Sequence, residues 1–329
     1  MTNALFSSTI EQTADFGPVV TLEYTPSSET DKPISVSIAP ERGSNMFKFT
    51  YGEHDIIYTE PELLRDCGFT GNFVLFPTPN RVKDSTYTWQ GKTITQKKNG
   101  ELRPLHGLVY DEKWQYEEPK LVEDGISITT SLTISIDSPL YESYPFLCTL
   151  KLCYILRSGG VTVTYSVTND GEEEMPFGFA LHPYFSRLTG NDNTYISVPA
   201  KSWMESPEDT LLPTGKLIDV SGKPYNINTP RPIGELSLDH VFTDLIPHKY
   251  ARIDYKTQGF SIELQSSEDF THTVVYTGNP NAVCIENQTC STDAINLWNS
   301  GFISQSHEII VKTANVHQGH ISYILKKLL

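Results

Sequence analysis

The sequence predicts an all-β protein, and specifically one large antiparallel β-sandwich. Apolar and polar residues alternate with a period of two in segments such as 152–169 and 251–265, and a glycine-containing turn interrupts each of them. Successive side chains of a strand point to opposite faces, and a short Gly turn between two such runs is typical of a hairpin. Val, Ile, Thr, Tyr and Phe dominate these runs, as expected for strands.

The rest of the chain adds little helix and no sign of a second domain. Only two short segments look helical, one near Thr59 and one near Thr292. There is no repeat at a propeller or solenoid period and no compositional change that would mark a linker, and the Pro-rich segment 222–236 is predicted to be a long loop. We therefore expect residues 1–329 to form a single sandwich domain.

Charge and cysteine content narrow the class of partner. The 329 residues include 25 Lys and Arg against 40 Asp and Glu, a formal net charge of −15, which argues against nucleic acid or an anionic membrane surface. The five cysteines lack zinc-type spacing, and their odd number favours reduced thiols in a cytoplasmic protein. No segment approaches the ~18 apolar residues of a membrane span, and no signal peptide is recognisable. A small neutral ligand is therefore the class of partner that agrees best with this charge and composition.

One histidine interrupts an apolar strand pattern in the segment PFGFALHPYFSRLTG. If residues 177–185 form a strand, its Phe, Leu and Pro residues share a core face, while Gly178, Ala180, His182 and Tyr184 share the other face. Two small residues before His182 would leave room above the sheet for a flat ligand. A core histidine bonded to neighbouring backbone is the alternative, and the pattern alone does not exclude it.

A glutamate interrupts a second apolar pattern, NAVCIENQTCSTDAIN, in which Cys284, Glu286 and Gln288 share one strand face. Burial of a carboxylate is costly unless it is paired or used, and desolvation raises its affinity for protons, which suits a general base. The alternative is a Glu at the exposed end of a strand.

Further polar candidates lie elsewhere in the chain. Asn80 and Arg81 end an apolar run, and the segment LRPLHGLVYDEKW contains His106 and Trp114. Arg81 offers a rigid fork of donors and Asp239 offers acceptors, so the two together can orient adjacent hydroxyls. A solvated loop cation and a turn cap are the alternatives for these two residues. Trp114 is more often a core residue than a ligand contact.

Several short motifs occur in an order that resembles the aldose 1-epimerase (galactose mutarotase) family. They are PTPNR, PLHG followed by a Trp, HPYF, LDHVF, YTGNP and CIENQ followed by DAIN, and they cover roughly residues 70–300. The family fold is a large antiparallel β-sandwich. The resemblance implies that Glu286 is the catalytic base and His182 the catalytic acid. It also implies a set of residues that hold the sugar: Asn80, Arg81, His106 and Asp239.

The implied chemistry is the interconversion of α and β anomers. It removes the proton of the C1 hydroxyl and protonates the ring oxygen, so that the ring opens, C1 rotates and the ring closes on the other face. An acid and a base must act together, each worth about 10²–10⁴ in rate. No electrons move, so we expect neither a metal nor another cofactor. His317 and His320 would fall on opposite faces of a strand, which argues against a metal site there.

Departures from the family leave the exact sugar open. The chain has Pro183 where Ser or Thr is usual, and Thr292-Asp293 where Pro-Asp is frequent. Sugar-phosphate epimerases of this fold often carry an Arg after the HG pair, whereas this chain has HGLVYDEK, which favours a free aldohexose such as galactose or glucose. The alternatives are a hexose-6-phosphate 1-epimerase, a non-catalytic sugar-binding module and a spare domain of a larger glycosidase or lyase.

Overall fold

The structure, a computed structural model, describes residues 5–28, 30–188, 190–191 and 193–328. Its first strands, in chain order, are β1 (Leu5–Thr13), β2 (Gly17–Thr25), β3 (Ile34–Ala39), β4 (Asn45–Tyr51), β5 (His54–Asp55), β6 (Asn72–Leu75), β7 (Thr86–Trp89), β8 (Lys92–Thr95), β9 (Lys97–Lys98), β10 (Glu101–Leu102), β11 (Gln115–Tyr116), β12 (Lys120–Val122), β13 (Gly125–Ile134), β14 (Cys148–Arg157) and β15 (Gly160–Asn169). The remaining strands are β16 (Met175–Phe177), β17 (Ala180–Ser186), β18 (Thr194–Ser197), β19 (Ala200–Met204), β20 (Leu217–Asp219), β21 (Arg231–Pro232), β22 (Asp239–Leu245), β23 (Ala251–Tyr255), β24 (Phe260–Ser266), β25 (His272–Tyr276), β26 (Ala282–Gln288), β27 (Ile309–Val311) and β28 (Val316–Lys327).

Helical segments are short. The α-helices are α1 (Pro61–Arg65), α2 (Ala294–Asn299) and α3 (Ile303–Ser306), and 3-10 turns occur at Lys83–Ser85, Pro139–Glu142 and Ile233–Glu235. The first two α-helices are those expected from the sequence near Thr59 and Thr292. Within the described residues, none of the helices is both long enough and apolar enough to cross a bilayer.

Two large antiparallel sheets dominate the fold. A ten-stranded sheet has the order β11-β13-β14-β15-β28-β24-β23-β18-β21, with β12 also paired to β13. A seven-stranded sheet has the order β20-β19-β22-β25-β26-β17-β6, and β1 to β5 form a third sheet in sequence order. The hairpins expected over 152–169 and 251–265 are β14-β15 and β23-β24. The prediction of a large antiparallel sandwich is therefore confirmed.

The two large sheets pack face to face through aromatic side chains. Tyr165 of β15 stacks on Phe179, which lies just before β17, with ring centroids 4.1 Å apart. Phe185 of β17 meets Tyr323 of β28 edge-on at 5.6 Å. Residues of odd number along β17 therefore face the core, and those of even number, which include His182, face the other side of the seven-stranded sheet.

The strand predicted over 177–185 is in fact divided. Strand β16 ends at Phe177 and pairs with β27, whereas β17 begins at Ala180 and pairs with β26 and β6. Gly178 lies between them and donates its N–H to the Pro77 carbonyl at 2.6 Å. A Cβ atom at this position would lie 2.3 Å from Cys290 Sγ. Glycine is therefore required by close packing, and the expectation that it makes room for a ligand was wrong.

Candidate active site

The pairing of β17 with β26 brings an acid and a base into contact. The antiparallel register of the two strands sets His182 opposite Glu286. His182 Nε2 lies 3.3 Å from Glu286 Oε1, and the two side chains are only 6% and 2% exposed. Strands β17 and β26 both lie inside the sheet, so the backbone that carries the two groups is held on both sides.

Aromatic rings fix the orientation of the His182 imidazole. Phe73, its cross-strand neighbour on β6, stacks on it at a centroid distance of 4.7 Å, and Tyr184 stacks at 4.9 Å. The ring of His106 meets that of His182 edge-on at 4.9 Å. Phe69 in turn stacks on Phe73 and contacts His106. Such packing leaves the imidazole little rotational freedom, so that Nε2 stays directed at Glu286.

Burial shifts both ionisable groups toward their neutral forms. Desolvation raises the pKa of Glu286 to about 8, against the opposing effect of a hydrogen bond from Gln288. Desolvation lowers the pKa of His182 to about 3. Because the two groups are in contact, they titrate as a pair, and at neutral pH the pair shares one labile proton and carries no net charge. Loss of that proton would leave a buried carboxylate beside a neutral imidazole.

His106 approaches the pair from a strained loop. It has a φ of 65°, and the following Gly107 has a φ of 74°. Its backbone N–H donates to the Asn80 carbonyl at 2.7 Å, which ties the loop to the end of the PTPNR segment. Burial, followed by the proximity of His182 and Arg81, holds the pKa of His106 well below its usual value. The ring of His106 beside the pair is therefore a neutral imidazole, with one nitrogen able to donate a hydrogen bond and the other able to accept one.

Arg81 and Asp239 lie at the more exposed side of the same cluster. Arg81 Nη2 is 3.5 Å from Asp239 Oδ2, and the two side chains are 29% and 32% exposed. Asn80 Oδ1 accepts a hydrogen bond from Arg81 Nη1 at 3.0 Å, so Asn80 holds the guanidinium. The Arg81 carbonyl accepts from the N–H of Asp293 at 2.9 Å, which ties its loop to the start of α2. Both charges act on the pKa of Glu286, Asp239 raising it and Arg81 lowering it.

The structure thus brings together all six residues that the sequence proposed for the site: Asn80, Arg81, His106, His182, Asp239 and Glu286. Their proposed roles remain predictions. Trp114 is a core residue, 3% exposed, whose Nε1 donates to the Val109 carbonyl at 3.2 Å. His317 Nε2 lies 3.2 Å from Asp269 Oδ2 and His320 is exposed, and because the two histidines are three residues apart in β28 their side chains point to opposite faces of the strand.

Some neighbours of the pair were not assigned any role from the sequence. Gln288 Nε2 donates to Glu286 Oε2 at 3.2 Å, and its position two residues along the same strand face was the available signal. Phe69 and Phe73 carry no such signal, because an aromatic residue in an apolar run is usually a core residue. Cys284 shares the face of Glu286, and its Sγ, a ring nitrogen of His182 and a Glu286 carboxylate oxygen all lie within 4.8 Å of one another.

A compact cluster of charges adjoins the aromatic wall of the site. Tyr110 packs edge-on against Phe69 at 5.3 Å and accepts a hydrogen bond from Arg103. Arg103 Nη2 is 2.8 Å from Asp111 Oδ2. Lys98 Nζ lies 2.7 Å from Asp111 and 2.6 Å from Glu112. Lys98 and Arg103, which both precede the PLHG motif in the sequence, are therefore already paired with carboxylates.

Comparison with known proteins gives a consistent result at the level of the family. A sequence model of the aldose 1-epimerase family matches residues 34–324. The uncharacterized protein YihR of Escherichia coli is 26% identical over 262 residues, which cover 77% of this chain and 80% of YihR. Galactose mutarotase of Homo sapiens is 25% identical over 214 residues, which cover 61% of this chain and 60% of the human protein. The chain thus matches about three fifths of the human enzyme's length.

Solved structures share the fold over nearly the whole chain. A galactose mutarotase-like protein from Clostridium acetobutylicum has a TM-score of 0.81 at 20% identity, with 99% of both chains covered. Galactose 1-epimerase from Lactobacillus acidophilus has a TM-score of 0.78 at 13% identity, with 99% of this chain and 100% of the other covered. Identities this low establish the fold alone, but the family match spans most of the sequence. The chain therefore belongs to the aldose 1-epimerase family.

Proposed function

We propose that the protein is an aldose 1-epimerase that interconverts the α and β anomers of a free aldohexose, with Glu286 as general base and His182 as general acid. Membership of the family supports sugar epimerase or mutarotase activity in general. The observation that carries the assignment of roles is the 3.3 Å contact between His182 Nε2 and Glu286 Oε1 in a buried setting. Two groups this close can both reach the two oxygens attached to one anomeric carbon.

The proton count of the pair matches the reaction. In the reacting form the shared proton lies on His182, so Glu286 is a carboxylate and His182 an imidazolium. Glu286 takes the proton of the C1 hydroxyl while His182 protonates the ring oxygen, and the bond from C1 to the ring oxygen breaks to give an aldehyde. After rotation about C1–C2 the two transfers reverse and the ring closes on the other face. The pair ends each turnover as it began, so no proton has to come from solvent.

Sugar hydroxyls are assigned to Arg81, Asp239 and His106. Arg81 supplies only donors, Asp239 only acceptors, and neutral His106 one of each. Arg81 and Asp239 are each about one third exposed, so a ligand can replace the 3.5 Å contact between them with hydrogen bonds of its own. Because the three groups differ in hydrogen-bonding character, they fix one orientation of the sugar ring.

The choice of a free sugar over a sugar phosphate is supported by the charges around the site. Lys98 and Arg103, the cations next to Tyr110, are paired with Asp111 and Glu112. Arg81 is likewise paired, with Asp239. A phosphate would have to displace one of these carboxylates and would meet a protein of formal charge −15. A neutral hexose meets no such obstacle.

Polarimetry on freshly dissolved pure anomers tests this proposal. We expect the protein to accelerate mutarotation of glucose or galactose well above the spontaneous rate, with full activity in a chelator. The same assay on glucose 6-phosphate, followed by a coupled enzyme specific for one anomer, tests the substrate class. A marked preference for the phosphate would replace the proposal with a hexose-6-phosphate 1-epimerase. No acceleration of any aldose, together with measurable sugar binding, would replace it with a binding module.

A further inference from the structure

Three side chains of the seven-stranded sheet present metal-ligating atoms to one point. A ring nitrogen of His182, Cys284 Sγ and a carboxylate oxygen of Glu286 lie within 4.8 Å of one another, and all three residues are buried. We propose that these residues bind Zn²⁺ in the sugar-free protein and that bound Zn²⁺ blocks the reaction. Binding of the ion does not depend on the proposed function, whereas the inhibition rests on it.

The ligand set is one that zinc favours. Imidazole nitrogen, thiolate sulfur and carboxylate oxygen are the three donor types found in protein zinc sites, and three protein ligands leave a fourth position for water. The thiolate and the carboxylate together carry two negative charges, which balance the ion. The loaded site would therefore have no net charge, as a buried position requires. Mg²⁺ and Ca²⁺ prefer six or more oxygen ligands and should not compete.

The geometry needs only a small adjustment. Zinc bonds of about 2.0–2.3 Å in a tetrahedral arrangement place neighbouring ligand atoms roughly 3.3–3.7 Å apart. The 3.3 Å between His182 Nε2 and Glu286 Oε1 already satisfies this. Cys284 lies two residues from Glu286 on the same face of β26, and its Sγ is within 4.8 Å of the other two ligand atoms, so a shift of about 1–1.5 Å brings it to bonding distance of the ion. The strands that carry the ligands are paired on both sides, so the site is largely preformed.

Inhibition follows from the atoms that the ion would occupy. The lone pair of His182 Nε2 and an oxygen of Glu286 are the same groups that exchange protons with the sugar in the proposed reaction. While Zn²⁺ holds them, neither can act as acid or base, and neither is free to bind the oxygens of the sugar's anomeric carbon. Zinc and sugar should therefore exclude each other.

Cobalt(II) offers a direct test of binding, because it takes zinc ligand sets and gives a near-ultraviolet thiolate-to-metal charge-transfer band. Protein freed of metal with a chelator is titrated with Co²⁺, and then with Zn²⁺. We expect one equivalent of Co²⁺ to produce the band and Zn²⁺ to abolish it. Cys284→Ser should lose the band and bind at least tenfold more weakly, whereas the control Cys153→Ser, a half-buried thiol of β14, should match the wild type. Absence of the band in the wild type, or its persistence in Cys284→Ser, would overturn the proposal.

Inhibition is measured separately by polarimetry. Zn²⁺ should slow mutarotation reversibly, and a chelator should restore the original rate. Added sugar should raise the zinc concentration needed for half-maximal inhibition. Rates for Cys284→Ser are compared with that variant's own zinc-free rate, and its sensitivity to zinc should fall at least tenfold. If the cobalt titration succeeds but zinc leaves a demonstrated mutarotase activity unchanged, the inhibitory part is wrong. A protein without mutarotase activity would still give the cobalt band. Failure of the proposed function can therefore be distinguished from failure of the proposed metal site. Thermal unfolding without metal checks that the variants are folded.

Discussion

Gln288 and His182 hold opposite oxygens of the same carboxylate. Gln288 Nε2 donates to Glu286 Oε2 at 3.2 Å, while His182 Nε2 lies 3.3 Å from Oε1. Gln288 is completely buried, so this hydrogen bond is shielded from water. The arrangement leaves Oε1 as the oxygen that exchanges the proton, and it makes Gln288 a positioning residue for the proposed base.

Replacement of Gln288 tests that role. The hydrogen bond lowers the pKa of Glu286, so Gln288→Leu should raise that pKa further. A hydrogen bond to a charged group contributes about 1.5–3 kcal/mol, so we expect kcat to fall by roughly 10–100-fold. The alkaline limit of the pH–rate profile should also move to higher pH, which a purely structural defect would not cause. Gln265→Leu is a matched control, because Gln265 donates to Glu263 in the same two-residue relationship outside the site. An unchanged pH profile would contradict the assignment.

The shared proton predicts the pH dependence of the reaction. The pair is active while it holds one labile proton, and it loses that proton as the pH rises through the Glu286 pKa of about 8. We therefore expect kcat/KM, corrected for spontaneous mutarotation, to be flat near neutrality and to fall about tenfold per pH unit well above 8. A corrected rate that rises through pH 8 would mean that a free carboxylate acts without a proton donor.

Arg81 is expected to act in binding more than in chemistry. Its contacts with sugar hydroxyls would be made in both ground and transition states, so Arg81→Ala should raise KM at least tenfold with a smaller fall in kcat. Arg231→Ala is a suitable control, since Arg231 pairs with Glu235 away from the site. Initial rates over a range of sugar concentrations separate the two parameters. A loss confined to kcat would show that Arg81 belongs with the reacting groups.

Glu308 gives a prediction about stability outside the site. It is buried, and burial holds its pKa well above the usual value, so the folded state retains a proton that the unfolded state releases. Stability should therefore decrease as pH rises above the unfolded-state pKa, by up to about 1.4 kcal/mol per pH unit until the folded-state pKa is reached. Glu308→Gln removes this dependence. Urea unfolding at pH 5 and pH 8 should show the variant losing less stability than the wild type, and equal losses would contradict the reasoning.

Sequence alone predicted much of the fold, and together with the family resemblance it proposed a set of residues for the site. The period of two and the turn residues predict hairpins such as β14-β15, because both signals are local. The resemblance named the six site residues, and the structure brings them together. That 1–329 form a single domain remains a prediction.

What the sequence did not reveal depends on contacts between distant segments. Gly178 was misread because its neighbour Cys290 is far away in the chain. The pairing of Lys98 with Asp111 and the stacking of Phe73 on His182 likewise arise only when separate segments meet. A strand pattern shows which face a residue occupies, but it does not show what packs against that face.

The central claim is that Glu286 is the base, and Glu286→Gln tests it most directly. The substitution keeps the size of the side chain and its reach for hydrogen bonds but removes the proton acceptor. Polarimetry should show the enzymatic rate falling by about 10²–10⁴, while sugar affinity, measured by calorimetry, changes little. His182→Asn should behave similarly, and Glu308→Gln, a change at another buried carboxyl, should keep near-normal activity. If Glu286→Gln retains near-normal mutarotation above the spontaneous rate, Glu286 is not the base and the proposed mechanism is wrong.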